Sequence, residues 1–201
     1  WQLKRVLKPG GVIVWVVADA TKDGSETGSS MEQALHFRRI GLCLADTMIW
    51  NKPPAGANGS NYVYPQSAEY MFVFSSGKPK SCNRIADRKN LTAGAWQRKT
   101  AGGRSGKYGA EELKPTVETP EFGMRTNVWS INVGGEGNDH PAPFPFDLAR
   151  DHIATWSNPG DLVLDPFSGS GTTAKAAKEL GRRFLGLEIN PEYCAIAERR
   201  I

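Results

Sequence analysis

The stretch Asp165-Pro-Phe-Ser-Gly-Ser-Gly-Thr-Thr decides the fold class of this 201-residue chain. It follows a short apolar run at residues 162–164 and precedes a helical pattern at residues 173–180. A second apolar run covers residues 183–189, and Asn190-Pro191 after it is a typical helix start. The order strand, helix, strand, helix predicts a parallel sheet and an α/β fold.

The glycines of this stretch predict a cofactor site. They form the pattern Gly169-x-Gly171-x-x-Ala174, and Glu188 ends the next strand, 19 residues after Gly169. Glycines let the backbone approach a ligand, and an acid at that distance accepts hydrogen bonds from ribose hydroxyls. A turn that only packs helix on strand is the alternative. No Gly-Lys-Ser/Thr follows, which excludes a P-loop but leaves a dinucleotide site open.

The charge of the chain is concentrated in its middle. The formal net charge is +4, but the segment from Lys78 to Arg125 carries eleven basic and five acidic residues, or +6. The remainder therefore carries −2. A basic segment in an acidic frame favours an insertion that binds a polyanion, and a solvated basic loop is the alternative.

Composition and cysteine usage exclude several protein classes. Hydrophobic residues make up 39% of the chain, which excludes a disordered tail, and the longest apolar run, at residues 12–18, is too short to span a bilayer. Cys43, Cys82 and Cys194 are scattered, which excludes a disulfide framework and a Cys-x-x-Cys zinc site. They favour a reducing cytoplasm, and no secretory leader is visible at the N-terminus.

Elsewhere, hydrophobic periodicity predicts further elements. Strands are expected at residues 12–18, 42–50 and 69–74, and helices at residues 31–40 and 145–156. Ser30 is the expected cap of the first of these helices. Residues 20–29 read as a loop, and residues 75–126 show no strong period. An uncapped helix is already under way at Leu3, so we expect the chain to continue upstream of residue 1.

The motif at Asp165 resembles the adenosylmethionine-binding motif of amino-group DNA methyltransferases, which act on adenine N6 or cytosine N4. His140-Pro-Ala-Pro-Phe-Pro resembles the family segment that closes over the methionine part of the cofactor. Arg5-Val-Leu-Lys-Pro-Gly-Gly, Trp50-Asn-Lys-Pro and Glu69-Tyr-Met-Phe-Val-Phe-Ser resemble its middle motifs. The motif order resembles the permuted class β, and the resemblance implies a Rossmann-like methyltransferase sheet with a loop-rich basic insertion.

The resemblance implies S-adenosylmethionine as the cofactor and assigns residues to it. Glu188 would hold the ribose and Ile189 would lie against the adenine. Phe144 and Phe167 would form an apolar wall, with plain core packing as the alternative for both. The complete expected set is Asp165, Phe167, Ser168, Gly169, Gly171, Thr172, Thr173, Glu188, Ile189, His140, Ala142, Pro143 and Phe144.

The resemblance also divides the chain into three parts. Residues 1–77 would be one half of the catalytic core, residues 78–127 the target-recognition insertion for double-stranded DNA, and residues 128–201 the cofactor-binding part. Trp96 and Tyr108 could stack on bases or wedge a duplex, but we expect them to form the small core of the insertion. Trp50 and Lys52 would lie near the base pocket.

The catalytic motif of the family is missing from this sequence. Family members hold the target amine with Asp, Asn or Ser followed by Pro-Pro and Tyr or Phe. The only Pro-Pro here is Pro53-Pro54, which is preceded by Lys52 and followed by Ala55. We therefore predict a truncated, inactive methyltransferase whose catalytic residues precede residue 1. Two strands should be missing with them, one of them between the strands at residues 162–164 and 12–17.

The preferred reaction is methyl transfer to adenine N6, with cytosine N4 second. Two other functions stay open: a non-catalytic cofactor- or DNA-binding module, and a nicotinamide-dependent oxidoreductase, which would leave residues 140–145 unexplained. His36 and His152 read as ordinary helix residues, and no metal site is expected. A homodimer, a cognate restriction endonuclease and a cytoplasmic location in a bacterial, archaeal or phage-encoded system complete the expectations.

Overall fold

The computed structural model describes residues 1–52, 64–98, 116–133 and 144–201. The chain divides into two compact units. The core unit comprises Trp1–Asn83 and Asn127–Ile201, and the insertion unit comprises Arg84–Thr126. The insertion unit lies within the insertion expected at residues 78–127. Its role in target recognition stays a prediction.

The described helices all belong to the core unit. They are α1 Gln2–Val6, α2 Ser29–Arg39, α3 Phe146–Trp156, α4 Thr172–Glu179 and α5 Pro191–Arg200. The described strands of the core unit are β1 Val12–Val17, β2 Thr21–Lys22, β3 Ser25–Glu26, β4 Cys43–Asn51, β5 Ala68–Ser75, β10 Val128–Ser130, β11 Leu162–Asp165 and β12 Arg183–Gly186. Those of the insertion unit are β6 Arg88–Lys89, β7 Trp96–Arg98, β8 Thr116–Glu118 and β9 Phe122–Gly123.

A four-stranded sheet in the order β1-β5-β4-β10 forms the larger part of the core. Strand β5 is antiparallel to β1 and β4, and β10 is parallel to β4. Met71 and Val73 of β5 join one buried cluster, and Phe72 and Phe74 join another. Both faces of β5 are therefore covered, because its consecutive apolar residues supply a buried side chain to each face.

The second sheet consists of β11 and β12, which pair in parallel with Asp165 opposite Gly186. The parallel β-α-β-α unit predicted from the sequence is thus confirmed. Among the described residues, β1 has β5 as its single strand neighbour and β11 has β12. The described ranges therefore contain two separate sheets, and the expected missing strand between β1 and β11 stays a prediction. The truncation itself stays a prediction.

Helix α3 packs against both parts of the core. Leu148 is fully buried in the cluster that contains Met71 of the four-stranded sheet. One residue later, Ala149 belongs with Ala176 of α4 to a different cluster. The two sheets are therefore joined by the packing of a helix and not by strand pairing in the described part of the chain.

The expected cap of α2 is wrong. Gly28 is the N-cap residue, and Ser30 is buried inside the first turn, where its hydroxyl donates to Asp19. The backbone N–H of Ser30 also donates to Asp19, at 3.0 Å. Asp19, two residues after β1, thus accepts a hydrogen bond from a free N–H of the first turn of α2. A Ser at the N-cap position would normally accept this bond. These bonds, the Ser30 hydroxyl foremost, lower the pKa of Asp19 from 3.8 to about 2.

The loop expected at residues 20–29 contains a small hairpin, because β2 and β3 pair across a turn at Asp23 and Gly24. Both turn residues have positive φ, the geometry that short hairpins prefer. In the described ranges no helix is long and apolar enough to cross a membrane.

Strand pairing, side-chain hydrogen bonds and an ion pair hold the described part of the insertion unit together. Strand β6 pairs with β9 and β7 with β8, both antiparallel, and Arg125 donates to Asp87. Across residues 84–96 and 117–126 no side chain is buried. Trp96 is 70% exposed, so the expectation that it forms a small core is wrong, and Tyr108 lies outside the described residues. Strands of two or three residues are too short to present an apolar face.

Candidate cofactor-binding site

The turn after β11 is fixed by hydrogen bonds to the end of β12. Asp165 ends β11, and its Oδ1 accepts from the N–H of Phe167 at 3.0 Å. The N–H of Leu187 donates to the carbonyl of Asp165 at 2.9 Å, and the N–H of Ser168 donates to the carbonyl of Leu187 at 2.9 Å. The turn therefore lies against the carboxyl end of the neighbouring strand, where α/β proteins bind ligands.

Glu188 links the glycine turn to the start of α5. Its Oε2 accepts from the N–H of Gly169 at 2.8 Å, and its Oε1 accepts from the N–H of Asn190 at 2.8 Å. A carboxylate accepts hydrogen bonds through both of its oxygens, and here a separate backbone amide orients each one. Glu188 is thus oriented in advance as an acceptor for a pair of hydroxyl groups.

The turn and the end of β12 contain glycines at positions where another residue would be strained or would clash. Gly171 is the N-cap of α4 with φ 82°, and a Cβ there would lie 2.8 Å from Cβ of Ala197 in α5. Gly169 has φ 50°. A Cβ on Gly186 would lie 2.5 Å from Oγ of Ser168. The turn therefore needs glycine for backbone conformation at Gly169 and Gly171, and for close packing at Gly171 and Gly186.

Two large apolar side chains stand in solvent beside this turn. Phe167 is 76% exposed and Ile189 is 98% exposed. Core packing, the alternative for Phe167, is therefore wrong. Phe144 differs, because it packs against two buried clusters and its ring centroid lies 6.2 Å from that of Trp50. The side chains of Phe167 and Ile189 are therefore accessible to a ligand.

The expected site residues fall into three groups. Most lie together around the turn, and Phe144 lies in the packed core. His140, Ala142 and Pro143 lie outside the described residues. Thr172 and Thr173, the first two residues of α4, directly follow Gly171 and belong to the group at the turn. The whole group is Asp165, Phe167, Ser168, Gly169, Gly171, Thr172, Thr173, Glu188 and Ile189.

Sequence reasoning missed the contact between Arg200 and Ser170, which stabilises the turn. Nη1 of Arg200 in α5 donates to the carbonyl of Ser170 at 2.8 Å and to its hydroxyl at 2.6 Å. Ser170 is buried. No local spacing signals this contact, because the two residues are 30 positions apart and meet only when α5 packs on the turn.

Trp50 and Lys52, expected near a base pocket, are engaged inside the core unit. Trp50 is 4% exposed, and its Nε1 donates to the carbonyl of Ile131 at 2.8 Å. Nζ of Lys52 lies 2.6 Å from Oε1 of Glu69. The Trp50 ring is therefore a core side chain and does not offer an open face for stacking.

The described residues hold no group of three or more His, Cys, Asp or Glu that could bind a metal. His152 is buried in α3, where its ring stacks on Trp129 with centroids 4.5 Å apart. Its Nε2 lies 3.1 Å from Sδ of Met71. His152 therefore packs the core, as its helical position predicts.

Comparison with known proteins gives one family and several relatives. A family model described as DNA methylase (N6_N4_Mtase) matches residues 2–199. Orphan methyltransferase M.BamHII of Bacillus amyloliquefaciens is 47% identical over 209 residues, which cover 100% of this chain and 78% of the relative. Type II methyltransferase M.SmaI of Serratia marcescens is 32% identical over 84% of this chain and 49% of the relative. The chain thus spans about half the length of the second relative.

The solved structures include TTHA0409 from Thermus thermophilus, complexed with S-adenosyl-L-methionine. The chain matches it with a TM-score of 0.62 and 27% identity, covering 99% of this chain and 71% of that one.

Proposed function

Because the chain belongs to the N6/N4 family of DNA methylases, we propose that its glycine turn binds S-adenosylmethionine for methyl transfer to DNA. The observation that carries the proposal is the arrangement at the ends of β11 and β12. There two backbone amides hold the carboxylate of Glu188, and the turn and the residue after Glu188 carry the exposed side chains of Phe167 and Ile189.

The residues at this edge fit the chemistry of the cofactor. The carboxylate of Glu188 is the kind of acceptor that ribose hydroxyls bind, and Ile189 and Phe167 offer apolar surface to the adenine. Asp165 and the N-terminus of α4 would hold the charged methionine part, with Ser168, Thr172 and Thr173 around it. When bound, S-adenosylmethionine supplies a methyl group on a positively charged sulfur.

The first test is a thermal melt of the chain with and without S-adenosylmethionine. At about a hundred times the dissociation constant, the ligand should stabilise the folded chain by about 2.7 kcal/mol. NAD at the same concentration should give no shift. A shift with NAD alone would favour the oxidoreductase, and a cooperative melt unchanged by either ligand would contradict the proposed cofactor.

A matched pair of variants locates the site. Glu188→Gln removes one of the two carboxylate acceptors and should weaken binding about tenfold or more, the effect of losing a charged hydrogen bond. Glu192→Gln makes the same chemical change on the exposed first turn of α5 and should bind like the parent chain. Equal loss in both variants would show that the cofactor lies elsewhere.

The proposed reaction transfers this methyl group to an exocyclic amine of DNA, adenine N6 or cytosine N4. We also propose that the 201-residue chain alone does not perform it. Within the sequence the only Pro-Pro pair is Pro53-Pro54, and it has neither an acidic or amide residue before it nor an aromatic residue after it. The groups that hold the target amine would come from a longer form of the protein.

The inactivity is tested by incubating the chain with DNA and S-adenosylmethionine labelled in its methyl group. We expect cofactor binding without label in the DNA. Incorporation of label by the isolated chain would show that the reaction does not need the family motif, and would overturn the proposed inactivity while leaving the cofactor site intact.

The proposal extends to partners and location. Double-stranded DNA is the substrate, and the basic insertion unit is its contact. In the described ranges β1 and β11 each have one edge that pairs with no strand, which leaves room for a homodimer that a molar mass measured in solution would detect. A cognate restriction endonuclease would be found by co-purification. Three free cysteines support a cytoplasmic location.

A further inference from the structure

The insertion unit presents an apolar side chain at the tip of a tight turn. Leu91 is fully exposed in the turn at residues 91–94, which connects β6 with β7. Trp96, the first residue of β7, follows it closely in sequence and is 70% exposed. A single exposed Leu is ordinary on a protein surface, but here a second large apolar side chain, five positions later, is exposed as well.

Hydrogen bonds on both sides fix this turn. The N–H of Asn90 donates to the carbonyl of Glu121 at 2.8 Å, and its Nδ2 donates to the carbonyl of Pro120 at 2.9 Å. After the turn, the N–H of Gly94 donates to the carbonyl of Thr119 at 3.0 Å. Leu91 is therefore held outward by ordered backbone, and its exposure is a property of the fold.

The charges around the turn indicate the kind of partner. Arg88 and Lys89 immediately precede it and are exposed. Over Arg84–Thr126 the unit contains nine basic and five acidic residues. An apolar protein partner would gain little from this excess positive charge, whereas a nucleic acid offers phosphates to the cations and base faces to the apolar tip.

We propose that Leu91 is a wedge that enters between base pairs of duplex DNA, with Trp96 beside it and Lys89 on the phosphates. This inference rests on the proposed function, because an enzyme that modifies a base must take that base out of the stack. Insertion of an apolar side chain unstacks a base step, and burial of the leucine offsets part of the cost.

The wedge is tested with two 30-base-pair duplexes, one intact and one with a central abasic site, labelled for fluorescence anisotropy. The abasic duplex is already unstacked, so the parent chain should bind it about tenfold more tightly. Leu91→Ala should lose most of this preference. Its salt dependence should stay unchanged, because the phosphate contacts remain. Lys89→Ala should instead reduce the slope of affinity against salt concentration by about one.

Val117→Ala is the matched control, because Val117 is an exposed apolar residue of the same unit but lies within β8. It should keep the preference for the abasic duplex. If Leu91→Ala also keeps that preference, or if the parent chain shows none, the wedge is wrong. The thermal shift with S-adenosylmethionine separates the two proposals, because it reports on the cofactor site and does not depend on Leu91.

Discussion

The four-stranded sheet and the insertion unit use apolar residues in opposite ways. In the sheet, Phe74 of β5 is 0% exposed and packs with Phe37 and Leu42. In the insertion unit, Trp96 and Leu91 point into solvent, and hydrogen bonds and the Asp87–Arg125 ion pair hold the backbone.

The difference teaches that the two regions are stabilised by different forces. A strand covered on both faces gains stability from area removed from water. A unit of two- and three-residue strands gains stability from local backbone geometry, and its apolar side chains in the described ranges stay exposed or half-buried. Variants in the two regions can test whether this difference in stabilising forces is real.

The largest effect is expected from deleting a buried ring in the sheet. Phe74→Ala should lower the free energy of unfolding by about 3–5 kcal/mol, the usual cost of a core Phe. Phe122→Ala in β9 removes a ring that is 46% exposed and should cost less than about 1 kcal/mol. Urea denaturation measures both. Comparable losses in the two variants would show that the insertion unit has an apolar core after all.

The second variant tests whether the glycine turn is as closely packed as the core of the four-stranded sheet. Gly171→Ala places a Cβ 2.8 Å from that of Ala197 and adopts a left-handed φ of 82°. We expect a loss of about 2–4 kcal/mol from strain and overpacking together, with weaker binding of S-adenosylmethionine.

Gly160→Ala is its control, because Gly160 has φ 85° and open space where a Cβ would lie. It should lose only the roughly 1–2 kcal/mol due to backbone strain. The melting temperatures of the two variants are compared with that of the parent chain. Equal decreases would mean that α5 moves aside and that the turn is not closely packed.

The smallest effect is expected at Asp19, whose carboxylate accepts hydrogen bonds from Ser30 at the start of α2. Hydrogen bonds thus stabilise this helix start, as they stabilise the insertion unit. The pKa of Asp19 is lowered from 3.8 to about 2, so its carboxylate stabilises the fold above pH 3.8 and loses that contribution as the pH falls toward 2. Asp19→Asn should cost about 1 kcal/mol at pH 6 and almost nothing near pH 2.

Thermal melts at pH 6, 4 and 2.5 measure this difference. Asp23→Asn, in the turn between β2 and β3, is the control and should follow the parent chain throughout. A constant difference between Asp19→Asn and the parent chain at every pH would show that the Asp19 charge is not what holds the helix.

Much of the fold follows from local pattern. The strands at residues 12–17 and 68–75 and the helices α3 and α5 lie close to where periodicity places them, because a buried face imposes its period on the sequence. Asn190 caps α5 as predicted, with its Oδ1 accepting from the N–H of Glu192. The predicted Ser30 cap is wrong because Asp19 accepts the hydrogen bond from the first turn of α2. Asp19 is eleven residues before Ser30, which is beyond the range of the capping patterns read from local sequence.

Local sequence is enough to predict the family, the parallel β-α-β-α unit and the glycine turn with Glu188 after it. These depend on residues near each other in the chain, where spacing fixes geometry. Only the tertiary structure decided that Trp50 is a core residue, that Arg200 holds Ser170, and that Leu91 and Trp96 face solvent. Exposure and contacts between distant residues depend on which elements pack together, and that is a property of the whole fold.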